Sequence, residues 1–348
     1  HSVQREVPVG QWQRLEWDIS GVPRWQVPSI SIYPYEQDTR RENTYTWLLD
    51  DMTLTRTEAA EPPSPRSVPV TVAVTNPLSR PLEGSISVGA PEGWSVQPAA
   101  SLTVPAEASR AVRVCVTPPA AAQGDRELSA QFMMGDLVLR DDAGVLVRPQ
   151  VSVPRTEQPP ELDGRLDDAA WQTAARLSGF VLNEDCAPAP TPTEVLLTWD
   201  DRALYVAYRC AEPQMDELVA DVTQPDGHVW EDDCLEFYLD PDAVPGGHDH
   251  YVVNALGTIR VERGGSPGWG WHTQAAARRG ESEWTAEVMV PFEDYRRAPR
   301  PGDRWPANFN RTRQGKPGSP TEYQCWSCTH GSFERPDRFG ELIFDDGE

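Results

Sequence analysis

Residues 230–236 place one tryptophan directly before a group of carboxylates. Trp230 is followed by three acidic residues, and Glu236 stands further along the same segment. An indole can stack on an apolar surface, and carboxylates accept hydrogen bonds from hydroxyl groups. Sugars present both surfaces, an apolar C–H face ringed by hydroxyls, so this segment has the side chains that a sugar site needs. The structural alternative for Glu236 is a salt bridge to an arginine.

The residues around Glu236 alternate in polarity and predict a β-strand. Leu235, Phe237 and Leu239 alternate with Cys234, Glu236 and Tyr238. Because successive side chains of a strand point to opposite faces, Glu236 is expected to face away from the apolar side. One face of such a sheet can build a core while the other displays a binding surface.

The acidic residues do not by themselves indicate an enzyme. The chain has 54 Asp and Glu residues against 31 Lys and Arg. A glycosidase needs two carboxylates held about 5–10 Å apart, and with so many acidic residues the sequence favours no particular pair. The sequence also lacks a nucleophile elbow, a zinc-protease motif, a dinucleotide-binding motif and a phosphate-binding loop. We therefore predict that the chain carries out no reaction itself.

The net charge of −23 argues against two classes of partner. Such a surface repels nucleic acid and the anionic face of a membrane. No apolar run approaches the length of about 18 residues that a spanning helix needs. The first residues lack the basic start and apolar stretch of a signal peptide, so we expect a soluble or trimmed chain.

Two groups of residues could hold a metal ion. Acidic clusters at Asp232-Asp233, at Asp240-Pro-Asp242 and at Asp249 could supply oxygen ligands for calcium, although no EF-hand spacing is present. The alternative for these clusters is a solvated acidic face. His248-Asp-His250 on a glycine-rich segment is a weak metal pattern.

The six cysteines are too sparse for a disulfide scaffold. Cys325 and Cys328 have the spacing of half a zinc site or a redox pair, but no second pair completes a zinc site and no βαβ pattern precedes them. The alternative is that the cysteines are small buried side chains, with or without one disulfide among them.

Period-2 alternation dominates the chain and predicts an all-β fold of tandem β-sandwiches. In residues 62–149, alternating valines and proline-rich turns give about seven short strands in about 90 residues, as in an immunoglobulin-like sandwich. This stretch resembles the Ig-like spacer domains of secreted bacterial glycosidases. Residues 1–57 resemble the closing strands of a galactose-binding-like jelly roll. Since these strands make only half a sandwich, we expect a fragment covalently linked to further domains.

Residues 151–348 contain an ordered series of landmarks. They are Asp163-Gly164, Trp199-Asp200, and the segments 229–241, 251–257, 284–292, 305–311 and 333–342. This series resembles the family 9 carbohydrate-binding modules and their β-sandwich relatives. The resemblance implies a third sandwich, carbohydrate as the partner, structural calcium in some relatives, and a secreted or cell-surface accessory region of a glycan-processing protein.

The resemblance also assigns site residues. Trp230 and Phe333 fall where the family has two tryptophans that bracket a sugar ring. Glu236 matches a carboxylate that accepts from sugar hydroxyls, Asn254 matches a polar contact, and Arg311 falls near a glutamine of the family. The resemblance thus implies one sugar ring between two aromatic rings, with three polar side chains bonding its hydroxyls.

Two departures from the family pattern keep other functions open. Phe333 replaces a tryptophan, and Val252 stands where the family has an arginine. A scaffold or protein-interaction array without a ligand is therefore the main alternative. A third possibility is electron transfer, because some relatives hold haem between a methionine and a histidine or lysine; Met215, Met289 and Lys316 could serve, but none lies in a motif that demands it.

Overall fold

The computed structural model describes residues 67–119, 122–241, 247–268, 270, 272–295 and 298–346. The chain divides into two compact units, His1–Glu61 and Pro62–Glu348, and all the described residues belong to the second. The jelly-roll strands predicted for residues 1–57 lie outside the described residues. The boundaries predicted at 62–149 and 151–348 stay a prediction.

Residues 67–149 form a first sandwich of seven strands. The strands are β1 Val68–Asn76, β2 Leu82–Gly89, β3 Ser95–Val96, β4 Ala100–Val104, β5 Ala108–Thr117, β6 Gly124–Met134 and β7 Leu137–Val147. They make two antiparallel sheets, ordered β1-β5-β3 and β4-β2-β6-β7. Ile86, Val104 and Val116 are fully buried in the core between them.

Residues 150–346 form a second, larger sandwich. Its first strands are β8 Gln150–Pro154, β9 Ala175–Leu177, β10 Val181–Leu182, β11 Thr193–Trp199, β12 Ala203–Ala211, β13 Cys234–Leu239 and β14 Asp249–Asn254. The remaining strands are β15 Ile259–Arg263, β16 Ser266–Pro267, β17 Gln274–Arg279, β18 Glu283–Pro291, β19 Arg304–Arg313, β20 Glu322–Cys325 and β21 Gly340–Asp345. The helical segments are short: α1 Ala169–Thr173 and the 3-10 turns Met215–Glu217, Val229–Glu231, Phe292–Tyr295 and Pro336–Arg338.

The second sandwich has a five-stranded and a nine-stranded sheet. The smaller sheet has the order β17-β18-β12-β11-β9. The larger has the order β10-β20-β19-β13-β14-β15-β16, and β21 pairs with β19 and with β8. The pair of β21 with β8 is parallel, whereas the strands along the rest of this sheet are antiparallel.

The alternation of apolar residues explains which face of the larger sheet is buried. Leu235, Phe237 and Leu239 point into the core between the sheets, with no exposed surface. Five tryptophans of the second sandwich are nearly or fully buried: Trp171, Trp199, Trp284, Trp305 and Trp326. The prediction of an all-β fold is confirmed. No helix in the part of the chain that the structure describes is both long and apolar enough to cross a bilayer.

Candidate functional site

The face of the larger sheet that points away from the core carries a row of polar side chains. We call it the outer face, and its central members are Glu236 and Tyr238 of β13, His250 of β14, and Asn310 and Thr312 of β19. Glu236 lies directly opposite Asn310 on one neighbouring strand, and Tyr238 lies opposite His250 on the other. The alternation in β13 therefore predicted the direction of Glu236 correctly.

Glu236 is held by two partners on the outer face. One carboxylate oxygen lies 2.9 Å from Nε2 of His250, and the other accepts a hydrogen bond of 2.9 Å from the hydroxyl of Thr312. The side chain is only 8% exposed. The partners of Glu236 are thus a histidine and a threonine rather than the arginine of the structural alternative, and they fix the orientation of the carboxylate.

His250 is protonated because two carboxylates face it. Burial opposes its charge, but the hydrogen bond to Glu236 and the interaction with Glu262 outweigh burial and raise the pKa of His250 to about 9. The hydrogen bond with His250 in turn lowers the pKa of Glu262 to about 2. The imidazole ring stacks on Tyr238 with a centroid distance of 4.3 Å and an interplanar angle of 4°. The outer face therefore carries an ordered chain of alternating charges.

Trp230 lies in the 3-10 turn Val229–Glu231 and is 37% exposed. The His228 ring stacks on its indole with a centroid distance of 5.0 Å and an interplanar angle of 18°. The guanidinium carbon of Arg260 lies 4.7 Å from the indole centroid, and Arg260 is paired with Glu262. The side chain of His228 is 68% exposed, so a ligand that stacks where His228 now lies has only an exposed ring to displace.

The loop that carries Trp230 is anchored through Asp232. The carboxylate of Asp232 accepts hydrogen bonds from the backbone amides of Asp221 and Val222, both at 3.0 Å, and from the side-chain amide of Asn254 at 2.8 Å. Asn254 has no exposed surface. Its amide nitrogen also donates to Val222, and its amide oxygen accepts from two backbone amides. In this structure Asn254 holds the loop that carries Trp230.

A buried ion pair anchors the same loop from the other side. Lys316 is the only lysine of the chain, and its amine pairs with Asp233; neither side chain is exposed. The Asp233 carboxylate also accepts hydrogen bonds from the backbone amides of Val219 and Gln314, at 2.7 and 2.9 Å. The Gln314 side chain donates to the carbonyl oxygen of Trp230. The turn around residue 230 is therefore fixed by an ionic and hydrogen-bonded support.

These contacts bear on the predicted calcium sites. Asp232 and Asp233 are occupied by backbone amides, Asn254 and Lys316, and Asp249 is paired with Arg263. Calcium needs six to eight oxygens that are free to turn toward the ion. Asp232, Asp233 and Asp249 thus have protein donors as partners, whereas Asp242 lies outside the described residues, and calcium at the Asp240-Pro-Asp242 cluster stays a prediction.

Arg311 and Asn310 occupy opposite faces of β19. Arg311 lies opposite Leu235 and points into the sandwich, where it donates to the carbonyl oxygens of Pro192 and Ala211 at 3.3 and 2.8 Å. The structure does not bring Arg311 to the outer face. Asn310, its neighbour in sequence, lies there opposite Glu236, and neither its amide nitrogen nor its amide oxygen has a partner among the described residues, although both are buried.

The aromatic residue that Phe333 contacts is Tyr323, whereas the resemblance paired Phe333 with Trp230. The Phe333 ring contacts Tyr323 with a centroid distance of 6.1 Å and an angle of 70°. Tyr323 is 49% exposed and lies opposite Thr312, on the outer face. The bracketing of a sugar between Phe333 and Trp230 stays a prediction. The sequence analysis did not identify Tyr323. Its position between Glu322 and Gln324 predicts the opposite direction, because an apolar side chain between two polar ones is expected to face the core.

Cys325 and Cys328 are not partners. Cys328 forms a disulfide with Cys186, and Cys325 is a buried thiol whose pKa is raised to about 12 by burial. A redox role for the pair is therefore contradicted. His330 lies 3.6 Å from the sulfur of Cys186, but both sulfurs of this group are bonded to each other.

The two histidines of the pattern at 248–250 and Lys316, one of the three haem candidates, have other partners in the structure. His248 lies 3.2 Å from Glu334, and His250 binds Glu236. The Lys316 amine is paired with Asp233, which removes it as an axial ligand in this structure. The described side chains of the outer face thus offer hydrogen bonds and aromatic stacking.

Comparisons with known proteins give two family matches. Residues 162–346, more than half of the chain, match the family described as "Carbohydrate family 9 binding domain-like". Residues 65–134 match "NPCBM-associated, NEW3 domain of alpha-galactosidase". A comparison with curated proteins gave no significant match.

The solved structures that are similar to the chain include two of a family 9 module and one of a putative carbohydrate-binding protein. A family 9 carbohydrate-binding module from Caldicellulosiruptor kristjanssonii in complex with cellotriose is 18% identical, with a TM-score of 0.45, covering 57% of this chain and 94% of its own. A putative carbohydrate-binding protein from Bacteroides uniformis is 17% identical, with a TM-score of 0.47 and coverages of 56% and 99%. The Caldicellulosiruptor module in complex with glucose is 18% identical, with a TM-score of 0.43 and coverages of 56% and 96%.

Proposed function

Because the chain belongs to the carbohydrate family 9 binding domain-like family, we propose that its second sandwich binds an uncharged carbohydrate on the outer face and catalyses no reaction. The observation that carries the proposal is a chain of contacts: Arg260, Glu262 and His250 link the exposed indole of Trp230 to the carboxylate of Glu236. The buried amide of Asn310, which has no partner among the described residues, lies opposite that carboxylate. Stacking on Trp230 would supply apolar contact, and Glu236 and Asn310 would bond hydroxyl groups.

The charges around the site support an uncharged ligand. Arg260 is paired with Glu262, and His250 with Glu236. Because both of these cations are paired, neither is free to bind a uronate or sulfate group, and the net charge of −23 repels polyanions. Hydroxyl groups, which donate and accept hydrogen bonds, match a carboxylate and an amide without requiring a new ion pair.

Two observations favour the alternative of a scaffold without a ligand. The indole of Trp230 already has an imidazole and a guanidinium within 5.0 Å of its centroid. Val252, at the position where the family has an arginine, lies in the same buried apolar cluster as Val229 and offers no polar contact. In this alternative His228 completes a packed surface cluster. The two functions differ in whether a sugar displaces His228.

Titration with sugars distinguishes these functions. We expect cellotriose, cellobiose, xylobiose, galactose or glucose at millimolar concentration to change the tryptophan fluorescence. Trp230→Ala should lower affinity at least tenfold, because the lost stacking and buried area are together worth about 1.5 kcal/mol or more. Trp94→Phe in the first sandwich is the matched control and should leave affinity unchanged. A chain that responds to none of these sugars, or whose affinity survives Trp230→Ala, would contradict the proposal.

Asn310→Leu is expected to change stability and binding in opposite directions. Leaving a buried amide without hydrogen bonds costs about 1–3 kcal/mol, so an apolar side chain of similar size should leave the free energy of unfolding equal or higher. The same substitution removes the hydroxyl-bonding group and should weaken sugar binding about five- to a hundredfold. Urea denaturation and sugar titration measure the two effects. Arg311→Leu, on the other face of the same strand, should instead destabilise the fold.

We further propose that the chain is an accessory part of a larger secreted or cell-surface protein. The match of residues 65–134 to a domain type described from an alpha-galactosidase supports this setting. In such a protein the first sandwich would separate the second from a catalytic domain and keep the outer face accessible to a polysaccharide.

A further inference from the structure

Residues 329–338 form the segment that carries Phe333, and the start of this segment is anchored to the second sandwich. Cys328 is bonded to Cys186. Three residues later, the backbone amide of Gly331 donates to the carbonyl oxygen of Asn183 at 2.8 Å. From there to the 3-10 turn Pro336–Arg338 the chain passes through Phe333, whose ring contacts Tyr323 on the outer face.

A single carboxylate of the first sandwich holds both ends of this segment. Asp125 of β6 accepts hydrogen bonds from Nη2 and Nη1 of Arg338 at 2.7 and 3.3 Å, and it lies 2.9 Å from Nε2 of His330. His330 precedes Phe333 by three residues, and Arg338 follows it by five. These contacts lower the pKa of Asp125, mainly through Arg338 and then His330, so the carboxylate is ionised.

Two further contacts join the same elements. Nε of Arg338 donates to the carbonyl oxygen of Cys328 at 2.7 Å, which links the end of the segment to its disulfide-bonded beginning. Arg148, at the end of the first sandwich, donates to the carbonyl oxygen of Asp337 at 2.9 Å. Arg338 is only 11% exposed, although Asp125 is 53% exposed.

We propose that Asp125 is a positioning residue for the carbohydrate site. By binding His330 and Arg338 across the boundary between the two sandwiches, its carboxylate sets the position of Phe333 on the outer face. This inference rests on the proposed function. The first sandwich is then part of the binding unit and does more than space the second from other domains. Because Asp125 touches neither Phe333 nor Glu236, its effect on the sugar is transmitted through the segment.

The test compares Asp125→Asn with Asp142→Asn in the full chain. Asp142 lies on β7 of the same sandwich, is 42% exposed and is paired with Arg140, so its substitution removes an equivalent charge away from the segment. Three quantities are measured in each variant: the Kd for cellotriose, the hydrogen exchange of peptides that cover residues 329–338, and the change in Kd between 0.05 and 1 M NaCl.

Asp125→Asn should raise the Kd about two- to fivefold, which is the scale of a partly exposed ion pair. It should speed exchange in residues 329–338. We expect 1 M NaCl to raise the Kd of the original chain by screening this pair, and Asp125→Asn should lessen that rise. Asp142→Asn should match the original chain in all three measurements, and Asp125→Glu should recover part of the affinity.

Each other outcome overturns the inference in a distinguishable way. Unchanged exchange in Asp125→Asn would show that the carboxylate does not hold the segment. Faster exchange with an unchanged Kd would show that the segment does not affect the sugar. If the original chain binds none of the sugars, the proposed function fails, and the positioning role falls with it even where exchange is faster.

Discussion

Lys316→Met is expected to lower the free energy of unfolding by about 3–5 kcal/mol, the largest effect that we expect from a single substitution. The amine of Lys316 and the carboxylate of Asp233 are both fully buried. Methionine fills a similar volume but leaves the carboxylate without its counter-charge. The two backbone amides that donate to Asp233 offset only part of this loss.

Urea denaturation followed by far-UV circular dichroism measures this effect. Arg140→Met removes the cation of an exposed pair whose side chains are 60% and 42% exposed, and it should cost less than about 1 kcal/mol. The double variant Lys316→Met with Asp233→Asn should recover part of the loss, because no unpaired charge stays buried. A loss below about 1 kcal/mol in Lys316→Met would show that the pair does not support the loop that carries Trp230.

The stability of the second sandwich is expected to fall as the pH rises from about 6.5 to about 9. His250 has a pKa raised from 6.5 to about 9, so the folded state holds its proton more tightly than the unfolded state. The resulting stabilisation is fully present below pH 6.5 and is lost as the pH rises through the folded pKa. A shift of this size corresponds to about 3 kcal/mol.

Denaturation midpoints at a series of pH values test this expectation. His250→Gln keeps a polar side chain beside Glu236 but does not titrate, so its stability should change less over the same pH range. Sugar affinity should follow the same profile in the original chain, since deprotonation of His250 leaves Glu236 and Glu262 without a shared cation. A stability that is level or rises between pH 6.5 and 9 would contradict the assignment of a protonated imidazole.

Features set by local alternation could be predicted from the sequence. The strand that contains Glu236 and its outward direction follow from the apolar residues on either side. The burial of Trp284 and Trp305 follows from their positions in strand-like segments, and the exposure of Trp230 from its position in a turn. In each of these cases residues close in sequence determine the outcome.

Features that depend on the pairing of distant strands could not be predicted from the sequence. Which of Asn310 and Arg311 points to the outer face depends on the register of β19 against β13. A shift of one residue in that register moves every side chain of the strand to the opposite face of the sheet. The sequence gives no measure of that register. The bond between Cys186 and Cys328 joins residues 142 apart, and the contacts of Asp125 with Arg338 join two separate sandwiches. Nothing in the sequence near any of these residues identifies its partner.

The position of Lys316 has a practical consequence for handling the protein. Most protein conjugation reagents attack lysine amines, and this chain has one such side chain, enclosed with Asp233. In the native fold that amine is shielded from dyes, cross-linkers and activated chromatography resins. A lysine-directed dye would therefore react with the side chain only after the turn around residue 316 opens, and the rate of labelling would report on that opening.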